Sequence, residues 1–140
     1  MNVKSEQFYQ NLDIIEPLQK IEDSRGFIQG ICDLNMKSAS IIFTKEKQWR
    51  ANHYHKKDWH FIYVCKGEFE YYFKKTNSIE PIKKKIVKAG QVLFTGNMID
   101  HAMYYTKETE IIVVSRNPRD QKTYEEDTVR IDFMNDKKRF

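Results

Sequence analysis

The chain breaks into short runs rich in Val, Ile, Tyr and Phe, and no window of helical length carries a strong 3.6-residue period. These runs fall at residues 14–21, 27–32, 40–44, 51–55, 59–65, 68–73, 82–87, 91–95, 102–105, 110–114 and 128–133. Turn signals separate them, such as Glu22-Asp23-Ser24-Arg25-Gly26 and the loop at 74–78. The pattern predicts an all-β chain closed as a small double-sheet jelly-roll barrel with little helix. Helix is expected only as a short leading turn at 5–11 and again at 120–127. With 140 residues one core suffices, so residues 1–140 are expected to form a single domain.

Charge and apolar patterning exclude several partner classes. The net charge is +4, from 24 basic and 20 acidic residues, and the lysines are dispersed. The densest run, Lys83-Lys84-Lys85, leads into alternating apolar positions and reads as the solvated face of a strand, so no nucleic-acid partner is expected. The first 13 residues, MNVKSEQFYQNLD, place no apolar run behind their lysine, and the longest apolar stretches, 61–65 and 111–114, are too short to span a bilayer. A cytoplasmic protein without membrane contact is expected. Cys32 and Cys65 form no CxxC pair and are expected to be reduced, buried, small hydrophobes.

The chain has four histidines. His53 and His55 stand at i and i+2, which on a strand puts both imidazoles on one face. His60 opens the next strand, which Gly67 closes. Much later Gly90 opens the run 91–95, and the loop after it delivers His101.

This spacing resembles the two metal-cage motifs of the cupin superfamily. His53-x-His55, four residues, His60, six residues and Gly67 match the first motif, with His60 in the glutamate place. Gly90, five residues, Gly96, Met98 and His101 match the second, with Gly96 and Met98 replacing the proline and the turn glycine. The resemblance covers residues 48–105. It implies that His53, His55, His60 and His101 hold one divalent transition metal, Zn above all, with Ni or Fe(II) also suited to imidazole donors.

Two further motifs point toward sugar-pathway cupins. The run Arg50-Ala51-Asn52-His53-Tyr54-His55-Lys56 resembles the RGNHYHK-type signature of nucleotide-sugar and capsule pathways, with Ala51 in place of glycine. One bearer is the carboxy-terminal cupin of a capsular-polysaccharide UDP-sugar reductase. Asp23-Ser24-Arg25-Gly26-Phe27 resembles the opening of dTDP-4-dehydrorhamnose 3,5-epimerases and sugar 3,4-ketoisomerases. The tail 115–130 is similar to the ends of sugar-pathway cupins.

The resemblance implies an isomerase or epimerase of a nucleotide-linked keto-sugar in surface-polysaccharide synthesis. Arg25 and Arg50 would grip the diphosphate by forked hydrogen bonds. Tyr105, which shares strand parity with His101, and Asp100 are the candidate acid/base groups, whereas Tyr54 points away from the cage. A cupin Fe(II) dioxygenase and a non-catalytic metal-dependent binding module are the competing functions. Exposed edge strands make a homodimer the expected assembly.

Overall fold

The computed structural model describes residues 14–15 and 18–140; the leading turn expected at 5–11 lies outside them. The strands are β1 (Ile14–Ile15), β2 (Lys20–Asp23), β3 (Gly26–Gln29), β4 (Ser38–Thr44), β5 (Gln48–His55), β6 (His60–Lys66), β7 (Glu68–Lys75), β8 (Lys83–Lys88), β9 (Val92–Thr95), β10 (Ile99–Tyr105), β11 (Thr109–Ser115) and β12 (Thr128–Arg130). Among the described residues there is one helix, α1 (Gln121–Asp127), which precedes β12; the Asp120 carboxylate accepts from Thr123 N at 3.0 Å and caps its first turn.

Every pairing is antiparallel. Two five-stranded sheets, ordered β1-β9-β6-β11-β4 and β12-β5-β10-β7-β8, face each other, and β2-β3 forms a separate hairpin. Period-two alternation sends Ile62, Val64, Leu93, Ile111 and Val113 inward from the first sheet. Phe69, Tyr71, Phe73, Val87, Met103 and Tyr105 meet them from the second. Each large side chain buried this way contributes roughly 1.5–3 kcal/mol. The outer face of the second sheet is covered as well, where Phe133 and Met134 pack on Tyr72, Ala102 and Tyr104.

The β6–β7 turn can only be built with glycine. Gly67 has φ +91, and a Cβ there would collide with Glu108 O and Thr109 Oγ1 and lie 2.8 Å from Thr109 Cα. Thr109 Oγ1 instead accepts from Glu68 N at 3.2 Å.

Cys32 is half-buried, but Cys65 is exposed near the end of β6, contrary to the expectation from residue type. It follows three residues after Ile62, and strand alternation turns it to the opposite face from Ile62 and Val64. No described helix is long and apolar enough to cross a membrane.

Candidate active site

Strand register brings the four histidines to one end of the space between the sheets. His53 pairs with His101 across β5 and β10, and Thr128 of β12 lies opposite His55. His60 enters from the other sheet, paired with Ser115 of β11 and Thr95 of β9. All four are buried. Ring centroids of His53 lie 4.7 Å from His55 and 4.8 Å from His101, and His55 lies 4.7 Å from His60. Ligand nitrogens of His53, His55 and His101 fall within 4.8 Å of one another; His55 and His60 form a second such group with Asp58.

A bulge shapes the approach to His53. The register between β5 and β10 slips so that Asn52 has no partner on β10. Ala51 and Asn52 hold φ of 69° and 55°, the left-handed region that glycine enters freely. Asn52 is pinned there: its Oδ1 accepts from Met134 N at 2.9 Å and its carbonyl from Ile131 N at 3.0 Å. The turn before β10 repeats the feature, with Met98 at φ 55° and its N–H donating to His55 O at 2.7 Å. Both positions where the motif expects glycine therefore keep a glycine-like backbone.

Each of three rings is held through Nδ1. His101 Nδ1 donates to Ile99 O at 2.9 Å, and His55 Nδ1 lies 3.3 Å from both Asp127 Oδ2 and Thr128 Oγ1. His60 Nδ1 lies 2.7 Å from Ser115 Oγ and 3.5 Å from Asp58 Oδ2. Carbonyl and carboxylate partners accept, so the proton belongs on Nδ1 and the Nε2 lone pairs are left bare. His55 Nε2 and His60 Nε2 face each other at 3.1 Å. Two bare lone pairs at that distance repel unless a cation or a shared proton lies between them.

Burial keeps the rings neutral. It pushes His53 down to about 2, helped by His101 and His55, and His101 down to about 3. His60 is driven well below the usual histidine range by burial and then by His55, and burial also lowers His55 against the pull of Asp127. Asp58 moves the other way, to about 6, because its burial outweighs the N–H bonds it accepts from Asn117 and Trp59.

The cavity has a volume of about 130 Å³. Its polar wall consists of the histidines with Arg50, Arg119, Tyr105 and Tyr124, and its floor is apolar. Among the described residues no carboxylate lines it. The donor set fits a divalent transition ion: neutral imidazoles, three of them with Nδ1 held by a second layer of partners and Nε2 left to bind. Two ligands bound at about 2.0–2.1 Å stand near the separation that His55 and His60 already have.

The other residues expected from sequence divide. Arg50 lines the cavity, with Nε donating to Thr44 Oγ1 at 2.6 Å and Nη2 to Phe43 O at 3.2 Å. Tyr105 lines it too; burial raises its phenol far above the ordinary value, and its hydroxyl contacts Met103 Sδ at 3.7 Å. Asp100 is not brought to the cavity. Adjacent strand residues face opposite ways, and its carboxylate accepts from Thr76 Oγ1 at 2.7 Å and lies 3.5 Å from Lys74 Nζ. Arg25 is also outside: it sits at the β2–β3 turn, its side chain 89% exposed, closed onto Asp23 at 2.7 Å. Sequence reasoning missed Asp58, Ser115, Asp127, Arg119 and Tyr124. Ser115, Arg119, Tyr124 and Asp127 all fall in the tail 115–130 whose resemblance pointed to no single residue, and Asp58 left no local trace.

No protein-family model and no curated protein matches the chain. Solved structures do. The sugar 3,4-ketoisomerase QdtA from Thermoanaerobacterium thermosaccharolyticum, in complex with TDP, superposes with a TM-score of 0.69 at 18% identity, over 86% of this chain and 89% of that one. The chain has the cupin fold. The TDP-quinovose 3,4-ketoisomerase WlaRB from Campylobacter jejuni gives 0.69 at 18% identity, over 80% and 89%. The dTDP-4-dehydrorhamnose 3,5-epimerase from Sulfolobus tokodaii gives 0.61 at 16%, over 74% and 69%. As the sequence led one to expect, the architecture is the RmlC-like cupin barrel that these sugar-nucleotide enzymes share.

Proposed function

We propose that this cupin is an isomerase or epimerase of a nucleotide-linked keto-sugar, serving surface-polysaccharide synthesis. One observation carries the reading: a single cavity is walled by four neutral imidazoles and two arginines, with no carboxylate among the described residues that line it. Such a wall favours a ligand that brings its own negative charge. The likeness to TDP-sugar ketoisomerases and a 3,5-epimerase supports the same ligand class.

His53, His55, His60 and His101 would hold a divalent ion, with Zn the best match to the donor set. Such an ion, when bound, supplies Lewis acidity for a sugar carbonyl. The protein's own part is to place the substrate and govern its protons. Asp127 and Ser115 keep the rings of His55 and His60 turned inward, and Arg50 offers its remaining N–H groups to phosphate oxygens. Tyr105 retains its proton at neutral pH and serves as a hydrogen-bond donor on the cavity wall. Apolar neighbours such as Ile62, Ile111 and Val113 exclude water from the reacting carbons.

A second reading follows from the same facing pair. Should a shared proton bridge His55 and His60, the His55–Asp127 and His60–Asp58 contacts make a metal-free proton-transfer site. Metal analysis of untreated protein separates the two. The deciding experiment is incubation with dTDP-4-keto-6-deoxyglucose in D2O, read by NMR. Deuterium is expected at a carbon beside the carbonyl, and chelation is expected to stop exchange in the metal reading only. Absence of exchange, together with no thermal shift from any dTDP- or UDP-sugar, sinks the proposal; bound iron with oxygen uptake would turn it toward the dioxygenase. The edge strand β4 exposes Ile41 and Phe43, which supports a homodimer, to be measured by analytical ultracentrifugation.

A further inference from the structure

Arg119 lies on the connection between β11 and α1, inside the tail 115–130 that resembles the ends of sugar-pathway cupins but carries no residue assigned a role from sequence. Its guanidinium carbon sits 5.2 Å from the centroid of the Tyr124 ring. That ring in turn stands edge-on to His53 and His55, at 6.4 and 5.9 Å. Both residues line the histidine cavity.

The charged side chains around them are already engaged. Asp120 caps the helix through Thr123, Arg130 pairs with Glu125 at 2.8 Å through both of its terminal nitrogens, and Asp127 accepts from Lys57 N and Asp58 N. Arg119 has no carboxylate within ion-pair distance among the described residues. Its only described partner is the face of an aromatic ring, which fixes a guanidinium in place while leaving its N–H edge open. The Tyr124 hydroxyl likewise makes no hydrogen bond among the described residues.

We infer that Arg119, held on the Tyr124 ring, is the anion receptor of this cavity and binds the phosphate of a phosphate-bearing ligand. This deepens the function proposed above and rests on it. The cavity lining holds two cationic points: Arg50 beside Thr44 and Tyr105, and Arg119 beside Tyr124. A guanidinium fork reads two phosphate oxygens at once, which a lysine cannot do. Arg119 therefore sets affinity for the charged part of the ligand, and Tyr124 is its positioning residue. It takes over the task that the sequence had given to Arg25.

The test is calorimetric titration of the metal-loaded protein with dTDP and UDP, with uncharged thymidine and uridine as controls. Wild-type protein is expected to bind a diphosphate and to bind the nucleoside far more weakly. Arg119→Ala is expected to weaken the diphosphate about ten- to hundredfold and leave nucleoside binding unchanged. Arg119→Lys should recover only part of the loss. Tyr124→Phe should keep full affinity and Tyr124→Ala should lose about two- to fivefold, the range of an exposed cation–π contact. Circular dichroism and metal content of each variant show that it is folded and loaded. If the wild type binds a diphosphate and folded Arg119→Ala binds it equally well, the inference is overturned while the function stands. If the wild type binds neither diphosphate, the nucleotide-sugar reading itself fails, and this inference with it.

Discussion

Strands β5 and β6 and the hairpin β2-β3 each carry a sugar-cupin motif, yet only the first pair delivers its residues to the cavity. His53, His55 and His60 are locked by register against β10, β12 and β11, so their directions follow from their positions. Among the described residues the hairpin pairs only with itself, every residue in it except Gln29 is exposed, and Arg25 closes on its own neighbour Asp23. A motif carried on paired central strands transfers geometry along with sequence. One carried on a protruding turn transfers sequence alone.

The sharpest way to break that contrast is at its centre. His55 is shared by both groups of close ligand atoms, so His55→Ala is expected to lower metal content to a small residue of wild type and activity by more than about a hundredfold. Elemental analysis and the exchange assay measure both; retention of a full equivalent of metal would remove His55 from the cage.

Acid should act on the same strands and spare the hairpin. The four buried histidines have native pKa values below the unfolded value, so the unfolded chain takes up more protons once pH drops below about 6.5. Each histidine can then remove up to about 1.4 kcal/mol of stability per pH unit. Asp58 opposes this between roughly pH 4 and 6, since its native pKa is raised to about 6, but it is one group against four. Urea midpoints of chelator-treated protein should fall steadily from pH 7.5 to 5. A flat profile would mean that the rings are not buried in the neutral form.

Smaller effects sharpen the comparison. Ala51→Gly and Met98→Gly relieve left-handed backbone beside the site and should each stabilise by about 0.5–1 kcal/mol in denaturant melts, after the extra entropy of glycine is subtracted. Both should leave metal content intact. Arg25→Ala should change neither Tm nor affinity for dTDP; a tenfold loss of affinity would return the hairpin to the site.

The sequence was legible where structure follows local pattern. The runs from 27 onward map onto β3 through β12 with ends shifted by a few residues, the run at 14–21 meets β1 at its start and β2 only at 20–21, and the expected helix at 120–127 is α1. The histidines converge as expected because i, i+2 parity and strand register act together. The residues that hold them are another matter. Ser115 reaches His60 across 55 positions and Thr128 reaches His55 across 73, and no local signal links such partners. Asp100 illustrates the opposite error: adjacency to His101 in sequence is a reason to expect the opposite face of a strand.

The distance along the chain between the rings and their holders also fixes an order of events. At about 5–20 residues per second, roughly 4–15 s of synthesis separate His55 from Thr128. During that interval the nascent polypeptide presents its HxH pair with neither Asp127 nor Thr128 yet made. Fixing the His55 ring through these two partners is thus a late step of folding.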